Sequence, residues 1–454
     1  MTDTTLLLKN ARLLATFDDD GREIAGGGVF VRGQWIEQVG RSEELPHSAD
    51  EVIDLAGQVL LPGLINTHHH MFQTLTRAVP AGQDAELFGW LKAHFGLWSR
   101  LTPDMLQAST RVAVAELLLS GCTTSSDHLY VFPNGCRLEH TIEPALQLGL
   151  RFHPTRGAIS LGESQGGLPP DDLVEREGAI LADMRRVIEA FHEPEPGAMV
   201  RIGVAPCSPF SVTPDLMREA AHLARAYGVR MHTHLAESDN DVAYLRERHA
   251  MTPVQYAETL DWIGSDVWHA HCVKLDAPGI AAFAASGTGV AHCPSSNLRL
   301  GSGIAPIAQM CACGVKVGLG VDGSASNDAG HLLAEARQAM LVARAGGDTQ
   351  SLGARKVLEL ATRGGAAVLG RPELGQIAPG KAADLVAFDL SDVAFAGALQ
   401  DPLAALVFCT PARASWSIVD GRVVVREGQL VAADLPELCE RHNRLAASLF
   451  DAPA

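Results

Sequence analysis

Between residues 61 and 371 short apolar, β-branched runs alternate with amphipathic stretches such as PDMLQASTRVAVAELLLSG, DLMREAAHLARAYG and LLAEARQAMLVARAGG. No other feature of the sequence restricts the fold as strongly. A period-2 run followed by a period-3.6 run, repeated, is the signature of βα units whose parallel strands are joined by helices. The rhythm predicts an α/β barrel over 61–371, with a doubly wound sheet as the fallback. The two chain ends read differently. LLLKNARLLATF, GGGVFVRGQWIEQVG and EVIDLAGQVLLPG at one end, and KAADLVAFDL and SWSIVDGRVVVREGQLV at the other, are strands and turns without helical periodicity. Each end is too short to close a core alone, so residues 1–60 and 372–454 are expected to pair into one small composite β-sandwich domain beside the barrel.

The chemistry-bearing residues fall on the β-type runs. In a strand, residues two apart share a face, so His68 and His70 can aim two imidazoles at one ion, with His69 turned away. VRMHTHLAES repeats the pattern with His232 and His234 and adds Glu237 where the strand should end. DVWHAHCVKL carries His269 and His271, and GVKVGLGVDGSASN runs out in Asp322 before a Gly/Ser loop. With 18 histidines in 454 residues, three such pairs, each on a strand of an alternating βα chain, are hard to attribute to chance. The C-terminal strand ends of an α/β barrel converge on one site, so these residues point to a metal centre. His69, His232 and His269 are as well explained by hydrogen bonds within the core, and His128 and Tyr130 as pocket wall.

The balance of 53 acidic against 36 basic side chains, a net charge of −17, excludes a basic nucleic-acid binder, since such a surface repels phosphate. Only 20% of residues are charged and 47% belong to the apolar types, which is a folding composition. The start of the chain lacks a basic segment followed by a long apolar run, so a cytoplasmic protein is expected. The charge-free stretch from Ala277 to Leu298 is broken by Pro278, Gly279, Gly287 and Pro294, and no membrane span is expected there. Nine cysteines without regular short spacings suit reduced thiols.

The segments LPGLINTHHH, HTHLAE, HCVKL, VAHCPSSNLRLGSGIAP, VGLGVDGSASN and GQIAPGKAADLV, in this order over nearly the whole chain, resemble the amidohydrolase superfamily, in particular its mononuclear-metal aromatic deaminases and chlorohydrolases. The resemblance implies a distorted (β/α)8 TIM barrel with a composite β-sandwich. It also implies one divalent metal per chain held by His68, His70, His234 and Asp322. Zinc is the expected ion, and iron suits the same donors. By the same resemblance Glu237 shuttles a proton to a ring nitrogen, His271 polarises or orients the attacking water, and Asp322 accepts a proton as well as binding the ion. Dinuclear relatives bridge two metals through a lysine or glutamate of the fourth strand. VRIGVAPCSPFSVTP contains neither.

In guanine-type deaminases of this superfamily a glutamine three residues beyond the HxH pair reads the amide edge of the purine, which makes Gln73 the substrate-binding candidate. Its carboxamide offers both donor and acceptor to a lactam. The arginine that guanine deaminases place on the fourth strand is absent, with APCSPF in its stead. TRGAISLGESQGGLPPDDLVE and QDAELFGWL resemble the 8-oxoguanine deaminases, which also accept isocytosine, and the hydroxyatrazine ethylaminohydrolases. The expected activity is hydrolytic deamination of a 2-amino-lactam nucleobase, 8-oxoguanine first. The alternative is a triazine aminohydrolase or chlorohydrolase, and a catalytically silent binding paralogue is the reading from a different class. A small-molecule partner and a homo-oligomer, common among similar proteins, complete the expectation.

Overall fold

The computed structural model describes residues 4–451. Eight strands form one sheet in sequence order: β1 (Leu64–Asn66), β2 (Cys122–Leu129), β3 (Arg151–Ala158), β4 (Gly203–Pro206), β5 (Arg230–Leu235), β6 (Val267–His271), β7 (Gly289–His292) and β8 (Lys316–Leu319). Every neighbouring pair is parallel. All residues of β2 and β3 are buried, as strands covered on both faces must be.

The sheet closes just beyond the ends of β1 and β8. Thr67 N–H donates to Leu319 O at 2.9 Å, Asn66 Oδ1 accepts from Val321 N–H at 2.9 Å, and Asp322 N–H donates to His68 O at 3.0 Å. A two-residue parallel pair, His69–His70 with Asp322–Gly323, completes the seam. Gly320 permits this approach, because a Cβ there would lie 2.9 Å from His68 Cβ. The fold is a distorted (β/α)8 barrel, and its seam is where His68, His70 and Asp322 meet.

The three helical stretches read from the sequence form helices over Pro103–Leu119, Pro214–Tyr227 and Leu332–Ala345. Thr102 and Thr213 each accept the backbone N–H three residues on, and a proline fills the first helical position, where its missing N–H costs nothing. The charge-free stretch becomes a helix (Ala277–Ser286), then β7, then the short helix Pro294–Arg299. Among the described residues no helix is long and apolar enough to cross a membrane.

Outside the barrel, strands from both chain ends share a seven-stranded sheet, joined where Gln58–Pro62 pairs antiparallel with Leu385–Asp389. A four-stranded sheet of N-terminal strands packs against it through Leu6, Leu8, Val29, Ile53, Leu60, Leu385 and Ile418. Arg151 of β3 ties the barrel to this region. Its guanidinium meets both oxygens of Asp384 at 2.9 Å, with the arginine fully buried. The C-terminal helix Leu435–Asp451 returns to the barrel, where His442 Nε2 bonds Thr74 Oγ1 at 3.0 Å.

Candidate active site

Four backbone positions at the barrel mouth take the left-handed conformation with side chains other than glycine: Ala236 (φ 53°), His271 (φ 70°), Cys272 (φ 50°) and Asp322 (φ 59°). Such strain concentrates at functional sites. Here it ends β5 and β6 and turns Glu237, His271 and Asp322 off their strands toward one another. The His271 imidazole stacks on His234 with centroids 5.4 Å apart, and its Nε2 stands 3.7 Å from Glu237 Oε2.

His68, His70, His234 and Asp322, the set implied by the resemblance, lie close together. His70 Nε2 lies 3.1 Å from His234 Nε2, while Asp322 Oδ1 lies 3.1 Å from His68 Nε2 and 3.3 Å from His70 Nε2. The far nitrogens are committed. His70 Nδ1 donates to His128 O at 2.7 Å and His234 Nδ1 to Cys207 O at 2.6 Å. Burial pushes the His70 imidazole down to about 3 and that of His68 well below its ordinary value, so these rings are neutral. A neutral ring that donates through Nδ1 presents a lone pair at Nε2. Two such lone pairs 3.1 Å apart beside a carboxylate repel unless a cation lies between them, and His68 Nε2 is buried with no hydrogen-bond partner. Tetrahedral ligands about 2.0–2.2 Å from an ion are roughly 3.3–3.6 Å apart. These residues therefore fit a divalent metal. Two overlapping sets, His68, His70, His128 and His234, and His68, His234, His271 and Asp322, have ligand atoms within 4.8 Å of one another.

The remaining histidines of the paired motifs, with His128, have partners of their own. His269 is held by Trp262 O at 2.9 Å and stacks on Phe283, away from the cluster. His69 Nδ1 accepts the His70 N–H at 2.9 Å. His128 bonds Ala205 O through Nε2 and stacks on His234 at 5.0 Å. His232 contacts His68 directly, at 2.7 Å. Asn297 and Ser326 were not singled out from the sequence. Asn297 Oδ1 accepts from His271 Nδ1 at 2.9 Å, and Ser326 Oγ donates to Asp322 Oδ2 at 3.0 Å. Both lie within the motif segments, Ser326 only four residues beyond Asp322, yet nothing local marks Asn297 as the partner of His271.

A pocket opens on this cluster. Trp90, Leu91, Phe95, Phe210 and Leu300 give it apolar walls, and among the described residues no lysine or arginine lines it. Gln73 lies in the wall, fully buried, with Nε2 3.3 Å from Tyr130 Oη and Oε1 3.4 Å from Ala325 N. Gly323 leaves room for that carboxamide, since a Cβ there would come within 1.8 Å of Oε1. Glu237 also lines the cavity. Burial raises its carboxyl to about 8, an effect only partly opposed by His234 and reinforced by Asp322 and Asp241.

Residues 59–424 match the model of the amidohydrolase family. The chain belongs to that family, and it is a hydrolase acting on carbon–nitrogen bonds. It is 44% identical to an 8-oxoguanine deaminase of Pseudomonas aeruginosa over 96% of this chain and 98% of the relative. It is 37% identical to a hydroxydechloroatrazine ethylaminohydrolase of Pseudomonas sp. strain ADP over 96% and 94%. Among solved structures, an atrazine chlorohydrolase from Arthrobacter aurescens TC1 complexed with zinc superposes with a TM-score of 0.92 at 36% identity, covering 97% of this chain and all of that one.

Proposed function

We propose that this amidohydrolase is a hydrolytic deaminase of a 2-amino-lactam ring, with 8-oxoguanine as its substrate and isocytosine as the smallest ring that keeps the reacting edge. The observation that carries this reading is Gln73, a buried carboxamide in the wall of the cavity that holds Glu237, His271 and Asp322. Its bonds to Tyr130 and Ala325 leave one N–H and one oxygen lone pair unused, the complement of a lactam C=O and N–H. The 8-oxoguanine deaminase relative supports it. A cavity without lysine or arginine among the described residues suits a free, uncharged heterocycle better than a nucleotide.

His68, His70, His234 and Asp322 would hold one divalent ion, zinc being the first choice. When bound there, the ion supplies Lewis acidity and makes hydroxide available near neutral pH. The protein's own groups handle the protons. Asp322, steadied at Oδ2 by Ser326, accepts the proton lost by the attacking water. Glu237, kept protonated by its burial, gives a proton to the ring nitrogen beside the attacked carbon, so that negative charge does not accumulate. His271, fixed by Asn297, offers Nε2 to the water. The proton held by Asp322 then passes to the amino group, which leaves as ammonia, and the hydroxyl proton of the collapsing intermediate returns to Glu237. In this reading residues 61–371 form the catalytic domain, and the strands within 1–60 and 372–454 form the β-sandwich that backs it, while the helix Leu435–Asp451 packs on the barrel.

A triazine substrate is the second reading, favoured by the close superposition on the atrazine chlorohydrolase. Ammonia release measured over 8-oxoguanine, isocytosine, guanine and adenine, beside alkylamine release from hydroxytriazines, decides between them. Rapid alkylamine release with no ammonia from either lactam would replace the first reading with the second.

A further inference from the structure

His70 and His234 each secure the far ring nitrogen on a backbone carbonyl, whereas His68 reaches one only through a second imidazole. That imidazole belongs to His232, the inner member of the pair on β5. Its Nδ1 lies 2.9 Å from Trp268 O. A carbonyl oxygen only accepts, so this nitrogen carries the proton, and in a neutral ring Nε2 is then bare. The bare Nε2 stands 2.7 Å from His68 Nδ1, which must therefore donate. His68 is left with its lone pair at Nε2, the buried atom without a hydrogen-bond partner beside Asp322. The opposite arrangement would let His68 donate to Asp322, but it would set a bare His232 Nδ1 against the Trp268 carbonyl.

Trp268 is itself anchored. Its indole N–H donates to Thr67 O at 3.1 Å, and its ring stacks on His232 at 4.4 Å with an interplanar angle of 17°. Thr67 immediately precedes His68 and bonds Leu319 O across the barrel seam. His68, His232, Trp268 and Thr67 thus form a closed circuit linking the end of β1 to β5 and β6.

We propose that His232 is a positioning residue that holds His68 in the tautomer with its bare Nε2 toward the metal, and that the Trp268 backbone carbonyl sets this tautomer. The inference rests on the metal-centre reading above. Groups of this kind fix ring orientation and ligand basicity, and their loss weakens metal binding about 10- to 100-fold.

The test is zinc affinity, read by competition with a chromogenic chelator on the full-length protein. His232→Phe, which keeps a ring against Trp268 but accepts nothing from His68, should bind zinc about 10- to 100-fold more weakly than the wild type. His232→Gln, which retains an acceptor oxygen, should recover part of that loss. Nitrogen-15 NMR of the zinc-loaded wild type provides a measurement that no folding defect can obscure. It should show His68 and His232 protonated at Nδ1. A wild-type chain that takes up no zinc overturns the metal reading and this one with it. Tight zinc binding by the wild type and unchanged affinity in His232→Phe, or a proton on Nε2 of His232, overturns this one alone.

Discussion

Replacing Glu237 by glutamine tests the proposed chemistry most directly, because the exchange preserves shape and removes a single capability. Glutamine still donates and accepts hydrogen bonds but has no proton to release. The surrounding structure should not notice. The Glu237 backbone N–H is held by Asp241 Oδ2 at 3.0 Å, a bond that the substitution leaves alone. Burial raises the wild-type carboxyl toward neutral pH, where it can hold a proton and release it. A positioned acid or base contributes about 10²- to 10⁴-fold, or about 2.7–5.5 kcal/mol of barrier at about 1.36 kcal/mol per tenfold. The upper half of that range is expected here. His271 Nε2 is 3.7 Å from Glu237 Oε2, beyond hydrogen-bonding reach, so no bond already made lets His271 take over the transfer. Ammonia release at saturating isocytosine should fall about 10³- to 10⁴-fold, with zinc content by elemental analysis unchanged. If Glu237→Gln loses its zinc while turnover per bound ion is preserved, Glu237 is a ligand. If turnover falls less than tenfold, it is not the proton carrier.

His68→Ala should abolish tight zinc binding and activity while leaving the far-UV circular dichroism intact, because the extensive apolar core formed by residues such as Leu106, Phe152 and Leu333 does not depend on the cluster. Gln73→Leu should lower kcat/KM for 8-oxoguanine about 10²-fold or more with zinc content unchanged, since a site built to pair a lactam discriminates strongly once the pairing groups are gone; an unchanged kcat/KM removes Gln73 from recognition. Arg151→Met should destabilise the fold by about 3–5 kcal/mol in urea unfolding, because it leaves the buried Asp384 carboxylate without its bidentate partner. A loss under 1 kcal/mol would show that the Asp420 N–H and Thr124 hydroxyl satisfy Asp384 by themselves.

The barrel and the paired histidines of the candidate site were legible in the sequence because both signals are local. Alternating periods announce βα units within a window of a dozen residues, and two histidines at spacing two declare a shared strand face wherever the strand lies. Gln73 and Asp322 were legible by resemblance of the motifs around them. What local pattern could not supply is depth. Residues two apart on a strand face the same side but are separated by roughly 6.6 Å along it, so an unbroken strand delivers only one histidine of each pair to an ion. His234 reaches the cluster and His232 stays one layer below, against Trp268. His68 and His70 both reach it because regular pairing stops at Asn66 and resumes only at His69–His70. His271 turns away from the side of His269 because its own backbone is left-handed.

The composite sheet was expected from two ends too short to stand alone, but its register, Gln58–Pro62 against Leu385–Asp389, joins residues more than three hundred positions apart. The partners of the chemical groups lie nearer in the chain but are no easier to pair by pattern: Asn297 for His271, Ser326 for Asp322 across a strained turn, and the carbonyls of His128 and Cys207 for His70 and His234. A sequence carries the donors and acceptors of a site, while their pairing is a matter of distance and angle. Only the assembled barrel, which sets each imidazole against a carbonyl or a ring of another strand, brings these partners within reach.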